Sequence, residues 1–129
     1  MRAAVAVLVG FGIWTVLWLG GASAVGALFP EEMQAYTDGQ GLHATAPLAT
    51  ILALSIVASL AAGASAASVA RQRAFGASFA LGVLLLLVGL GVQVSAWDAM
   101  PVWYHVAFLV LLLPVTLSGA RLMPRTPVA

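Results

Sequence analysis

Four long apolar runs, at 3–29, 47–70, 75–97 and 101–122, alternate with short polar breaks along the chain. An α-helix needs about 20 mainly apolar residues to cross roughly 30 Å of hydrocarbon at about 1.5 Å per residue, and each run meets that length. None contains a carboxylate, and their one arginine is Arg121, at the very end of the fourth. The breaks are rich in turn formers. "FPEEMQAYTDGQGLHATAP" (29–47) carries Pro30, the Asp38–Gly39 pair, Gly41 and Pro47. Pro30 followed by Glu31 and Glu32 predicts a short surface helix with its acids near the positive end of the dipole. "RQR" (71–73) and "DAM" (98–100) read as tight connections. Pro101 suits the first turn of a helix, where its missing N–H costs nothing. Links this short make sequential neighbours antiparallel. The pattern therefore predicts an all-α membrane protein, one domain over 1–129, built as an antiparallel bundle of four transmembrane helices.

Charge adds an orientation. Arg2, Arg71, Arg73, Arg121 and Arg125 fall at one set of run ends, and Glu31, Glu32, Asp38 and Asp98 at the other. Arginine excess marks the cytoplasmic side, so both termini are expected in the cytoplasm. All five basic residues are arginine, beside abundant Ala, Gly and Pro, a bias that fits a GC-rich bacterial genome and so an expected place in a bacterial inner membrane. The opening segment "MRAAVAVLVGFGIWTVLWLGGASA" has a second reading, as a signal peptide cleaved after Ala22-Ser23-Ala24. Its apolar run, from Ala3 to Gly21, exceeds the usual signal core of about 7–15 residues, which favours a retained span.

Composition narrows the function classes. The chain is 63% hydrophobic and 7% charged, against about 25% charged in a typical soluble domain. It has no cysteine, which excludes disulfides, thiolate metal sites and thiol catalysis. A net charge of +1 without a basic run gives no reason to expect a nucleic-acid partner. No metal motif of defined spacing, such as HExxH, is present, and the sequence suggests neither a catalytic constellation nor a cofactor. An ionisable residue at mid-bilayer is the usual pointer to coupled transport, and no acid or arginine sits there. Small four-helix multidrug exporters match this chain in size, but they depend on a glutamate in their first helix. "AAVAVLVGFGIWTVLWLGG" has none, so the chain departs from that family.

Within the runs, the second is the most unusual. In "ASLAAGASAASVA" (58–70) only Leu60 and Val69 are not Ala, Gly or Ser, and Ser55, Ser59, Ala62 and Ala66 share one helical face. Small residues let helix backbones approach closely, so this helix is expected to be the least lipid-exposed of the four. Trp14 and Trp18, one turn apart, predict a packing or lipid-facing stripe. Pro114 is expected to leave the Val110 carbonyl without its helical partner and to kink the fourth helix.

Most of the remaining chemistry is in "WDAMPVWYHVAF" (97–108). Trp97, Trp103 and Tyr104 read as an interfacial aromatic belt, and Asp98 as a charge beside the positive end of the next helix. Gln93 reads as glue between helices or as a headgroup contact. His105 reads first as an interfacial anchor, within reach of Asp98 and of the loop that carries His43. The alternative is a ligand-facing set of His105, Asp98, Gln93, Trp103 and Tyr104, open to a metal, a quinone or a lipid headgroup.

The stretch "MPVWYHVAFLVLLLPVTLSGARLMPR" (100–125) resembles a group of small uncharacterised bacterial inner-membrane proteins with four spans and a WYH near the last helix. The resemblance covers the last quarter of the chain and implies architecture alone. The expected function is that of a structural, accessory or assembly subunit. Its expected partners are the lipid bilayer and other membrane proteins, or a second copy of itself. Binding or transport of an apolar, lipid-like ligand near the outer surface is the alternative.

Overall fold

The apolar runs become helices because in an apolar surrounding each backbone N–H and carbonyl must be satisfied within the segment, and their Ser and Thr hydroxyls fold back onto carbonyls one turn earlier, as Thr15 does to Phe11 and Ser65 to Ala61. The computed structural model describes residues 1–123; Arg125, part of the charge pattern, lies outside the described residues. Five α-helices follow in order: α1 (Arg2–Leu28), α2 (Pro30–Thr37), α3 (Thr45–Ala70), α4 (Ala74–Ser95) and α5 (Val102–Arg121). Single 3₁₀ turns at Arg71–Arg73 and Trp97–Ala99 join α3 to α4 and α4 to α5. Among the described residues there is no strand.

Among the described residues, three helical stretches are long and apolar enough to cross a membrane: Arg2–Leu28, Thr45–Ser95 and Val102–Arg121. The second of these doubles back at the RQR turn. Arg71 takes a positive φ of 54° there, and Ser78 on α4 donates to the Gly63 carbonyl on α3 across 3.2 Å. The third apolar run was expected to stay helical through residue 97. Instead α4 stops at Ser95, because Trp97–Ala99 tightens into its own turn before Pro101. As the PEE pattern predicts, α2 opens with Pro30 at its first position and both acids in its first turn. Through Pro114, α5 remains assigned as one helix.

Centrally placed α3 touches α1, α4 and α5. Eleven of its 26 residues are buried, against four of 27 in α1. The reason is size. A Cβ on Gly63 would overlap the Thr116 carbonyl on α5, and one on Gly119 would overlap the Leu60 carbonyl on α3. Each helix thus seats a backbone carbonyl of the other against its own glycine. On the opposite side, a Cβ on Gly10 of α1 would lie 3.0 Å from the Ala62 carbonyl. Ser55, Ser59, Ala62 and Ala66, the face singled out in the sequence, are all buried. In lipid this close packing is a main source of cohesion between helices.

The exterior is apolar. Leu8, Val16, Leu87 and Val110 are each more than 60% exposed, a surface that water would penalise and lipid would not. The loop between α2 and α3 folds over one end of the bundle. Leu42 donates its N–H to the Ala99 carbonyl at 2.6 Å and buries its side chain beneath. Gly41 makes that approach possible, with φ of 79° and a Cβ position only 2.7 Å from the Ala99 oxygen.

Candidate functional site at the acidic end

Glu31, Glu32, Asp38 and Asp98 all belong to the end closed by the 38–44 loop and the Trp97–Ala99 turn. Beneath that turn lies a group of polar and aromatic side chains in mutual contact: Gln93, Trp97, Tyr104 and His105. From the last turn of α4, Gln93 reaches inward and is 3% exposed. His105 comes from the first turns of α5 and is 0% exposed. Its Nδ1 meets the Gln93 side-chain amide, and its Nε2 lies 3.1 Å from the Trp97 carbonyl. One imidazole therefore ties α4, the connecting turn and α5 together.

The protonation pattern follows from these partners. A neutral imidazole has one N–H, and the Trp97 carbonyl can only accept. A neutral ring must then carry its hydrogen on Nε2 and donate it to Trp97. The Gln93 atom facing Nδ1 is the amide oxygen, which can only accept, so in that tautomer the amide must turn through 180° to present its NH₂. In that state both ring nitrogens are engaged. No lone pair remains for a metal or substrate unless Gln93 is displaced.

Stacked rings extend the site into the bundle. Trp97 lies parallel to His105 with centroids 4.6 Å apart, and Tyr104 stands edgewise to the same imidazole at 5.8 Å. Phe108 follows Tyr104 at 6.2 Å, then Trp18 of α1 at 5.5 Å, then Trp14, stacked on Trp18 at 5.2 Å. Trp14 ends the series by donating its indole N–H to Ser59 of α3, 3.2 Å away. The Trp14–Trp18 stripe is a packing device that links α1 to α3 and α5.

Of the five residues proposed as ligand-facing, Gln93, Tyr104 and His105 converge, while Asp98 and Trp103 are exposed. The interfacial-anchor reading of His105 is corrected on this point. Its ring takes no partner from Asp98 or the acidic loop, because the buried face of α5 runs through it to Phe108, Leu112, Thr116 and Gly119. The headgroup reading of Gln93 is corrected for the same reason, since pairing the two polar groups avoids burying either alone. Trp103 is 47% exposed. Phe108, the Trp97 carbonyl and the pairing of Ser59 with Trp14 were missed in the sequence. The spacing 105, 108, 112, 116, 119 was the available signal, since it marks one helical stripe that includes the histidine.

Among the described residues, no three His, Cys, Asp or Glu side chains gather as metal ligands, and no buried side-chain nitrogen or oxygen lacks a partner. Compared with known proteins, the chain matches no family model, no curated protein and no solved structure.

Proposed function

We propose that the chain is a four-span protein of the bacterial inner membrane, with both ends in the cytoplasm. In this reading it serves as a non-enzymatic structural, accessory or assembly subunit that acts through helix–helix contacts. The observation that carries it is how the interior polar groups are used. Gln93, His105, Trp14, Ser59 and Ser78 hold helices to one another, so a ligand lodged there would have to break bonds the fold already makes. The large exterior apolar side chains are left to meet lipid or a partner's helices. Four spans are supported by length, since α3 has 26 residues and α4 has 22, each enough for one crossing. Orientation is supported by Arg71 and Arg73 in the α3–α4 turn and the acids at the other end.

Two expected results test the two parts. A reporter fused after Ala129 is active only in the cytoplasm, and a tag inserted at Gly39 is labelled from the periplasm. Periplasmic activity of the Ala129 fusion would overturn the topology. Purification of the tagged chain in mild detergent recovers one larger membrane protein at fixed stoichiometry. Recovery of the chain alone, with a stoichiometric lipid-like molecule, would instead favour the ligand-binding alternative.

A further inference from the structure

At the end opposite the acids, the start of α1 and the α3–α4 turn enclose a concavity of about 480 Å³. Met1, Arg2, Arg71, Gln72 and Arg73 line it, together with Ala3 and Ala70. Three guanidinium-bearing residues thus share one opening, and no carboxylate belongs to it. The positive-inside tendency explains why arginines occur at this end, but not why three of them line one cleft while Arg121, at the end of α5, does not. Arg71 is also the one described non-glycine residue with a positive φ, a conformation that disfavours any side chain bearing a Cβ. Glycine would suit that turn better, yet the position holds an arginine whose side chain borders the cleft.

We propose that this cleft binds a phosphate group, and that the group is the headgroup of an anionic phospholipid such as phosphatidylglycerol. Planar guanidinium forks pair with phosphate oxygens through two parallel N–H donors, and Gln72 adds an uncharged donor. Repulsion among the three cations is relieved when an anion enters. Two features favour a lipid over free phosphate. The cleft opens at the ends of the membrane-length helices, where headgroups lie, and Met1, Ala3 and Ala70 stand among its arginines as an apolar part of the lining. The cytoplasmic leaflet to which the proposed topology assigns it is also the anionic one.

The test uses the full-length chain in detergent micelles, with native mass spectrometry reading bound lipid. Phosphatidylglycerol is expected to be retained over phosphatidylcholine of the same tails. Arg2→Gln and Arg71→Gly should each weaken that retention about fivefold, from the usual contribution of one arginine near an anionic surface. Arg71→Gly is the decisive variant, because it removes the guanidinium while relieving the positive φ, so a misfolded turn cannot account for the loss. Arg121→Gln should change little. Displacement by millimolar inorganic phosphate would keep the phosphate site but identify free phosphate as its source. Equal retention of the two lipids, or an equal effect of Arg121→Gln, would overturn the proposal. Micelles have no sides, so this result stands or falls separately from the reporter test of topology.

Discussion

Gly63→Ala is expected to lower the stability of the bundle by about 1–3 kcal/mol, the usual range for overpacking, and Gly63→Leu to prevent native packing of α3 on α5 altogether. The added Cβ meets the Thr116 carbonyl, which belongs to a helix backbone and cannot move aside as a side chain can. Relief requires α5 to shift as a whole, and Gly119 against the Leu60 carbonyl resists that shift. Two controls define the effect. Gly91 on α4 has nothing within 4 Å of its Cβ position, so Gly91→Ala should be neutral or stabilising by up to about 1 kcal/mol. Leu87 is 62% exposed, so Leu87→Ala should cost less than about 0.5 kcal/mol. Thermal unfolding in a mild detergent measures all four. Comparable melting for Gly63→Ala and Leu87→Ala would refute the close-packed crossing.

Loss of the imidazole should have the next largest effect. His105→Leu strands the Gln93 amide in a buried site, at about 1–3 kcal/mol by soluble-protein values and about 0.6–2 by those from membrane helices. His105→Gln is expected to fall between wild type and leucine, because an amide can meet Gln93 but cannot also stack on Trp97 and reach its carbonyl. The informative variant is the double one. With Gln93→Leu and His105→Leu together, no polar group is stranded, so the pair should be less destabilised than the two single changes added. A coupling of about 0.5–2 kcal/mol is expected. Additive losses in the same melting assay would mean that the two side chains do not depend on each other.

Architecture was largely legible from the pattern of apolar residues, and the site was not. Length and turn chemistry marked every helix to within about two residues, including the Pro30 helix, because uninterrupted apolar runs leave few alternatives. Small size marked α3 as the central helix for a physical reason too, since only Ala, Gly and Ser allow contact on several sides. His105, and Gln93 in its headgroup reading, were read outward because both lie near a predicted membrane boundary, where polar groups ordinarily reach water. Depth alone misled. What decides their direction is the partner on the neighbouring helix, and the pairing of 93 with 105 depends on how α4 and α5 turn about each other. Four residues, Ala96 and the three of the following 3₁₀ turn, set that rotation, and no single-helix pattern reports it.

The small-residue interior of α3 also has an evolutionary meaning. Of its eleven buried positions, eight hold Ala, Gly or Ser: Ser55, Ala58, Ser59, Ala62, Gly63, Ala66, Ala67 and Ala70. Outside exchanges among Ala, Gly and Ser themselves, every replacement at those positions enlarges the side chain, and there is little room to receive it. Leucines on the lipid face, by contrast, can drift among Leu, Val, Ile and Phe with little consequence. Selection should therefore hold the plainest stretch of this sequence most tightly, while the richer-looking exterior varies. A helix that reads as low-information by composition is, position by position, the one with the fewest permitted alternatives.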